Sequence, residues 1–247
     1  TTQQLIGENA PELAAVIVEP LHRCLPPQEG FLKGLRKVTT DCGLLLIFDE
    51  VVTGFRLAYG GAQEYYEVVP DLVAYGKALG GGYPIGVFGG RADIMDLVRE
   101  DRLGRNTYVW SASTVGGNPI SSVAAEAALE VYRQPGTYEH LFWIGKYMRE
   151  GMQKVLEDCG IPGQIIGDGP LAQWVLQSEN SPVKDYRSIK KGDARAIRSV
   201  MLGLFKRGIF LNPMGSKLYL SLAHNINVCN IFFEHFKDAI SHEFTGS

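Results

Sequence analysis

Long apolar runs are missing from this chain. A membrane-spanning helix needs about 20 apolar residues, and the longest candidates, Ala14–Val18 and Leu44–Phe48, are only strand-sized. Excess charge of one sign is missing too. Lys+Arg 24 against Asp+Glu 27 gives a net −3 and a sequence pI near 6.0, which leaves no basic field for nucleic acid and no cationic run for an anionic membrane. The residues from Thr1 to Glu8 lack the basic and then apolar regions of a secretory signal. Cysteines Cys24, Cys42, Cys159 and Cys229 are widely spaced, without the paired spacing of a zinc site, and read as reduced thiols in a cytoplasmic protein. Internal repeats and low-complexity tracts are absent. What remains, 247 residues that are 45% hydrophobic with 29 Gly, is a soluble globular chain whose expected partners are small molecules.

Short apolar runs alternate with amphipathic segments in the first half. Strands are expected at Ala14–Val18, Leu44–Phe48, Leu72–Tyr75 and Ile85–Gly89, with a helix over Phe31–Cys42 that Gly43 would end. This alternation predicts parallel strands with crossover helices, and Leu44–Phe48 reads as buried on both faces. Asn118-Pro119 offers a cap and a first-turn proline for an alanine-rich helix over Ser121–Tyr132. A long helix is expected from about Tyr138 to Asp158. The glycine- and proline-rich stretch Gly160–Pro170 then reads as a domain boundary, dividing the chain into 1–160 and 161–247. The last part, with strands near Ala172–Gln177 and Leu218–Ala223 and helices near Asp193–Lys206 and Val228–Ile240, suggests a small α+β domain.

Two carboxylates, Asp49 and Glu50, follow the buried run Leu44–Phe48, at the strand edge where open α/β sheets bind ligands. An ATPase would place such a pair after a Gly-rich phosphate loop of the form G-x-x-x-x-G-K-[ST]. Here Gly76-Lys77 is followed by Ala78, and position 71 is Asp71, so that motif fails. A glycosidase using Glu19 or Glu50 as acid would want an aromatic sugar platform, which is not evident. Solvated strand-end carboxylates are the plain alternative.

The segment Gly76-Lys77-Ala78-Leu79-Gly80-Gly81-Gly82 holds one lysine just past the strand Leu72–Tyr75, among glycines that permit close approach of backbone and cofactor. Alone it reads as an exposed turn lysine; paired with Asp49 at the same sheet edge it reads as chemistry. Pyridoxal phosphate needs this pair. An amine holds its aldehyde as a Schiff base, and a carboxylate keeps its pyridine nitrogen protonated so that the ring can accept electrons.

Glu19-Pro20, the run from Asp49 through Glu50, Val51, Val52, Thr53, Gly54 and Phe55 to Arg56, Pro70-Asp71-Leu72 before Gly76-Lys77, and the run from Thr114 to Pro119 occur together in this order. The set resembles the class III pyridoxal-phosphate-dependent aminotransferases, and within them the glutamate-1-semialdehyde 2,1-aminomutase-like group. The later segments Pro182–Tyr186 and Ser221–His224 share that likeness, which runs from about Ala14 to Ile240. The resemblance implies the pyridoxal-phosphate-dependent transferase fold, of the aspartate aminotransferase type. That is an α/β large domain with a mainly parallel sheet, plus a small C-terminal α+β domain. It also implies pyridoxal 5′-phosphate as cofactor and an aminotransferase or aminomutase moving amino groups between amines or amino acids and oxo acids or aldehydes. By the same resemblance Lys77 forms the internal aldimine and shuttles a proton, Asp49 pairs with the ring nitrogen, and Val51 packs behind the ring. Thr114 reaches the cofactor phosphate of the neighbouring subunit of a homodimer. From the residues alone, Val51 is also a plain core position and Thr114 a helix-entry residue.

Three weaker signals are given structural readings. Gly167–Ala172 matches a dinucleotide fingerprint by spacing, but Pro170 and the strand-like sequence after it predict a turn. His224 at a strand end reads as structural, and Tyr65-Tyr66 as either an entrance wall or a core cover.

The chain also departs from the family pattern. The N-terminal part of the family fold, with its Ser-Gly-Thr-type phosphate loop and the aromatic residue stacked on the ring, is not recognisable. The expectation is therefore a piece of a longer polypeptide or a catalytically incomplete subunit. The aminomutase arginine near the amino terminus is missing. Pro213–Lys217 holds neither the glutamate of the aminomutases nor an arginine of the kind ω-amino-acid transaminases use, so a transaminase is expected at least as much as a mutase.

Overall fold

The computed structural model describes residues 1–177, 181–211 and 216–245. The chain forms two compact units, one of Thr1–Leu21 with Pro27–Pro135 and one of His22–Pro26 with Gly136–Ser247. The division falls at Pro135–Gly136 where the sequence pattern suggested 160. The differences are one long helix, whose apolar face belongs to the second core, and the short segment His22–Pro26, which also falls in the second unit.

In the first unit α1 (Thr2–Asn9) starts on the Thr1 hydroxyl, which accepts the Gln4 N–H. Then come β1 (Ala15–Val18), α2 (Phe31–Asp41), β2 (Leu45–Asp49), a one-turn α3 (Ala62–Tyr65), β3 (Leu72–Tyr75), β4 (Val87–Gly90), a one-turn α4 (Ala92–Met95) and α5 (Pro119–Tyr132). The sheet order is β1-β2-β3-β4. The β1–β2 and β2–β3 pairs are parallel, as expected, whereas β4 runs antiparallel to β3. The connection from β3 to β4 contains only a 3-10 turn at Lys77–Gly80, too little for the crossover that a parallel return requires.

Helix α2 ends where Gly43 takes a left-handed φ of +68°, and Leu32 and Leu35 on its inner face pack with Leu44, Leu46, Phe48, Val73 and Ile6. Burial of each such side chain contributes about 1.5–3 kcal/mol. Strand β2 is fully buried on that face only. Leu45 and Ile47 are half-buried on the other and Ile17 of β1 is 68% exposed, which corrects the expectation of a strand buried on both faces. The Asn118 side chain caps α5 by accepting the Ser121 N–H at 2.9 Å, with Pro119 at the first helical position, as the sequence suggested.

Asp71 ties this sheet together. Its carboxylate accepts the Leu46 N–H at 2.7 Å, Arg36 Nη1 at 2.8 Å and Arg91 Nη1 at 3.1 Å. Burial alone would push the carboxyl up, but these three donors outweigh it and hold Asp71 below the ordinary carboxylate value. An acid with a depressed folded value stabilises the fold at pH above its unfolded value, and that contribution is lost as the pH falls through the folded value. Asp71→Asn should therefore cost about 1–3 kcal/mol near pH 7. In urea melts the gap from wild type should narrow as pH falls below the ordinary aspartate value of about 3.9. Equal stability at neutral pH would show that the Asp71 bonds contribute nothing net.

The second unit contains α6 (Thr137–Asp158), β5 (Gly163–Ile166), β6 (Leu171–Leu176), a one-turn α7 (Tyr186–Ile189), α8 (Ala194–Lys206), β7 (Lys217–Tyr219) and α9 (Ile226–Thr245). The antiparallel sheet β5-β6-β7 packs with α6, α8 and α9 around Trp174, Met148, Val200 and Phe236, an α+β arrangement. Gly167–Pro170 is the β5–β6 hairpin turn, not a dinucleotide loop. His224 Nδ1 accepts the Ser221 N–H at 3.1 Å, holding the turn before α9. No disulfide joins Cys24, Cys42, Cys159 or Cys229, and no helix among the described residues is long and apolar enough to cross a membrane. Pro213, Met214 and Gly215, in the stretch without the aminomutase glutamate, lie outside the described residues.

Candidate active site

Parallel pairing of β2 with β3 sets the site. Asp49, the last residue of β2, is in register with Ala74, and Glu50 N–H donates to the Ala74 carbonyl at 2.9 Å. Strand β3 then ends at Tyr75, so Asp49 and the Gly76-Lys77 loop emerge at the carboxyl ends of neighbouring parallel strands. Val51 joins the two. A Cβ built on Gly76 would lie 3.5 Å from Val51 Cγ1, so the half-buried valine sits against the loop that carries the lysine.

Asp49 is half-buried. Its Oδ1 accepts the Val51 N–H at 3.1 Å, and among the described residues nothing donates to Oδ2. Lys77 is exposed, and its amine has no hydrogen-bond or ion-pair partner among the described residues. Its backbone φ is +43°, a left-handed conformation that costs an L-residue about 1–2 kcal/mol and is held only where the surroundings enforce it. The structure thus brings a residue with an uncommitted acceptor oxygen and a residue with an uncommitted amine to the ends of adjacent parallel strands, with Val51 against the loop that carries the second. Thr114 lies in an exposed turn just before the Asn118 cap, away from the strand ends in sequence.

Glu50 does not share that availability. It is fully buried, and its carboxylate accepts the Ala62 N–H at 2.5 Å, the Gln63 N–H at 3.1 Å and the Thr53 hydroxyl at 3.0 Å. Burial raises its pKa, and those donors offset the rise only in part. Gln63 Nε2 in turn donates to Tyr75 Oη at 2.6 Å. Burial first, then the Glu50 charge, push the Tyr75 phenol up to about 12. This chain of bonds folds the loop after Asp49 back onto β3, and removes Glu50 from any role as a glycosidase-type acid. Sequence reading missed Gln63, Tyr75 and Tyr132 as parts of the site's support. Their partners lie 12 to 54 positions away, and no spacing rule links them.

Among the described residues no group of three His, Cys, Asp or Glu side chains could hold a metal ion. The donor set instead suits a cofactor with an aldehyde and a protonatable ring nitrogen.

Known proteins share the sequence pattern and the fold. An ω-transaminase from Sphaerobacter thermophilus is 34% identical with a TM-score of 0.89, over 98% of this chain and 55% of that one. A β-phenylalanine aminotransferase from Variovorax paradoxus is 28% identical with a TM-score of 0.82, over the same shares. A glutamate-1-semialdehyde aminomutase from Pseudomonas aeruginosa PAO1, 20% identical with a TM-score of 0.84 over 98% and 55%, shares the fold. The chain therefore spans about half the length of the solved proteins it matches. The sequence model of the class-III aminotransferases, a pyridoxal-phosphate-dependent family, matches residues 1–240. With its α/β fold and mostly parallel sheet, the chain belongs to the class III aminotransferases.

Proposed function

We propose that this chain carries the Lys77 and Asp49 half of a pyridoxal-phosphate site in a transaminase that moves amino groups between an amine or amino acid and an oxo acid or aldehyde. One observation carries the reading: an uncommitted amine and an uncommitted carboxylate oxygen stand at the carboxyl ends of adjacent parallel strands. Bound there, pyridoxal phosphate supplies an aldehyde that captures primary amines and a ring that takes up electrons released at the substrate carbon.

The chain's own residues do the rest. Asp49 Oδ2 would hold a proton at the ring nitrogen through a charge-assisted hydrogen bond, while Oδ1 stays on the Val51 N–H and fixes the carboxylate's orientation. Val51 would pack against one side of the ring and exclude water there. The Lys77 amine would hold the cofactor through its aldehyde and would be the group that moves a proton at the substrate carbon. Thr114, exposed in its turn, offers a hydroxyl to a phosphate held by a second subunit of a homodimer. Its exposure supports the role. Identity to the ω-transaminase (34%) and the β-phenylalanine aminotransferase (28%), against 20% to the aminomutase, favours transfer between two substrates over rearrangement within one.

The protein expressed from its complete reading frame should turn yellow with pyridoxal phosphate and bleach with borohydride. The reduced cofactor should then be found by mass on the peptide containing Lys77. A label on any other lysine, or a protein that stays colourless at saturating cofactor, would overturn the assignment.

A further inference from the structure

The Lys77 loop rests on α5 at three points. Near the helix start, Ser121 Oγ donates to the Pro84 carbonyl at 2.8 Å. In the middle, Gly81, at φ +56°, lies so close that a Cβ there would be 3.2 Å from the Ala124 carbonyl oxygen and 3.4 Å from Ala128 Cβ. At the helix end, Tyr132 Oη donates to the Ala78 carbonyl at 2.8 Å. The small residues Ala124 and Ala128 permit this approach.

Of these three, the Tyr132 contact is next to the lysine. Ala78 follows Lys77 in the 3-10 turn, and its carbonyl also accepts the Gly81 N–H, at a longer 3.2 Å. Without the phenol the carbonyl would keep only that bond, and the left-handed Lys77 would have less to hold it. The Tyr132 ring is fixed independently, stacked on Phe55 with centroids 6.2 Å apart and planes 19° apart, and Phe55 also packs against Tyr75 at the end of β3. Burial pushes the Tyr132 phenol above its ordinary value, so it remains a donor at neutral and moderately alkaline pH.

We infer that Tyr132 is a positioning residue for Lys77: its hydroxyl holds the Ala78 carbonyl, and through it the turn that keeps the lysine in its left-handed conformation. This rests on the reading of Lys77 as the cofactor lysine. Tyr132 touches neither cofactor nor substrate; it acts through the backbone of the loop.

Tyr132→Phe is the informative variant, because it keeps the ring on Phe55 and removes only the donor. Two readouts are needed, in the protein made from its complete reading frame. First, amide hydrogen exchange at Leu79 and Gly81 in the cofactor-free protein should quicken about three- to tenfold, the size of one hydrogen bond. Second, with pyridoxal phosphate bound, kcat should fall at least about tenfold while KM for the amine stays within about twofold, since a small misplacement of the reacting amine affects turnover more than binding. Ser122→Ala, on an exposed part of the same helix, is the control and should change neither. If Lys77→Ala turns over like wild type, the lysine reading itself fails. If Lys77→Ala is inactive while Tyr132→Phe matches wild type in either exchange or kcat, the positioning role is overturned and the lysine reading stands.

Discussion

Lys77→Ala should abolish steady-state transamination, by at least about a thousandfold, while leaving the fold intact. The two halves of that expectation come from different parts of the structure. Lys77 is exposed and its amine holds no bond to the described residues, so truncation removes no packing and strands no partner; the stability change should stay within about 0.5 kcal/mol. On the proposed reading, the rate loss follows from removing the group that serves both as resting partner of the aldehyde and as proton carrier, where acid–base catalysis alone is worth about 10²–10⁴. Lys77→Arg should not restore activity, because guanidinium is neither a nucleophile nor a base near neutral pH. Backbone geometry adds a check. At φ +43° alanine keeps the strain that lysine has, whereas glycine relieves it, so Lys77→Gly should be about 1 kcal/mol more stable than Lys77→Ala and equally inactive. Denaturant melts with single-turnover kinetics on the three variants test all of this. Near wild-type turnover by the alanine variant would remove Lys77 from the chemistry.

What was legible in the sequence was whatever leaves a local signature. The run from Leu44 to Phe48 ending in Asp49, the Gly76-Lys77 loop and the Asn118-Pro119 cap each state their structure within a few residues, and the strand, the turn and the helix start are found there. Helix α1 was missed because Thr2–Asn9 offers only Leu5 and Ile6 as apolar positions, too few to show a period. Strand β5 was hidden in a glycine- and proline-rich stretch, since its existence depends on antiparallel pairing with β6 across the turn that those residues make. The direction of β4 and the place of α6 are likewise tertiary outcomes, decided by what a short connection allows and by which core takes the helix's apolar face. In the site, Asp49 and Lys77 stand out because Asp49 ends one strand and Lys77 closely follows another. The bonds that brace them do not, because Glu50 with Ala62 and Gln63, Gln63 with Tyr75, and Tyr132 with Ala78 meet only once the chain has folded.

Asp49→Asn should leave cofactor binding within about tenfold of wild type and slow the half-reaction with an amine about 10²–10³-fold, the usual cost of losing one preorganised electrostatic contact. The local geometry sets the direction. Asp49 Oδ1 already accepts the Val51 N–H at 3.1 Å, and in the variant the amide oxygen is the only atom able to keep that bond. The amide nitrogen must then take the place of Oδ2 and present N–H to the ring. A donor there satisfies an unprotonated pyridine nitrogen and opposes a protonated one, reversing the preference that a carboxylate creates. The ring would still be held, but it would no longer take up electrons well, so binding and chemistry should separate. Titration with pyridoxal phosphate followed by stopped-flow mixing with an amine measures the two on the same sample. Half-reaction rates equal to wild type would show that this carboxylate is not the partner of the ring nitrogen, and a variant that lost cofactor altogether would make Asp49 chiefly an anchor.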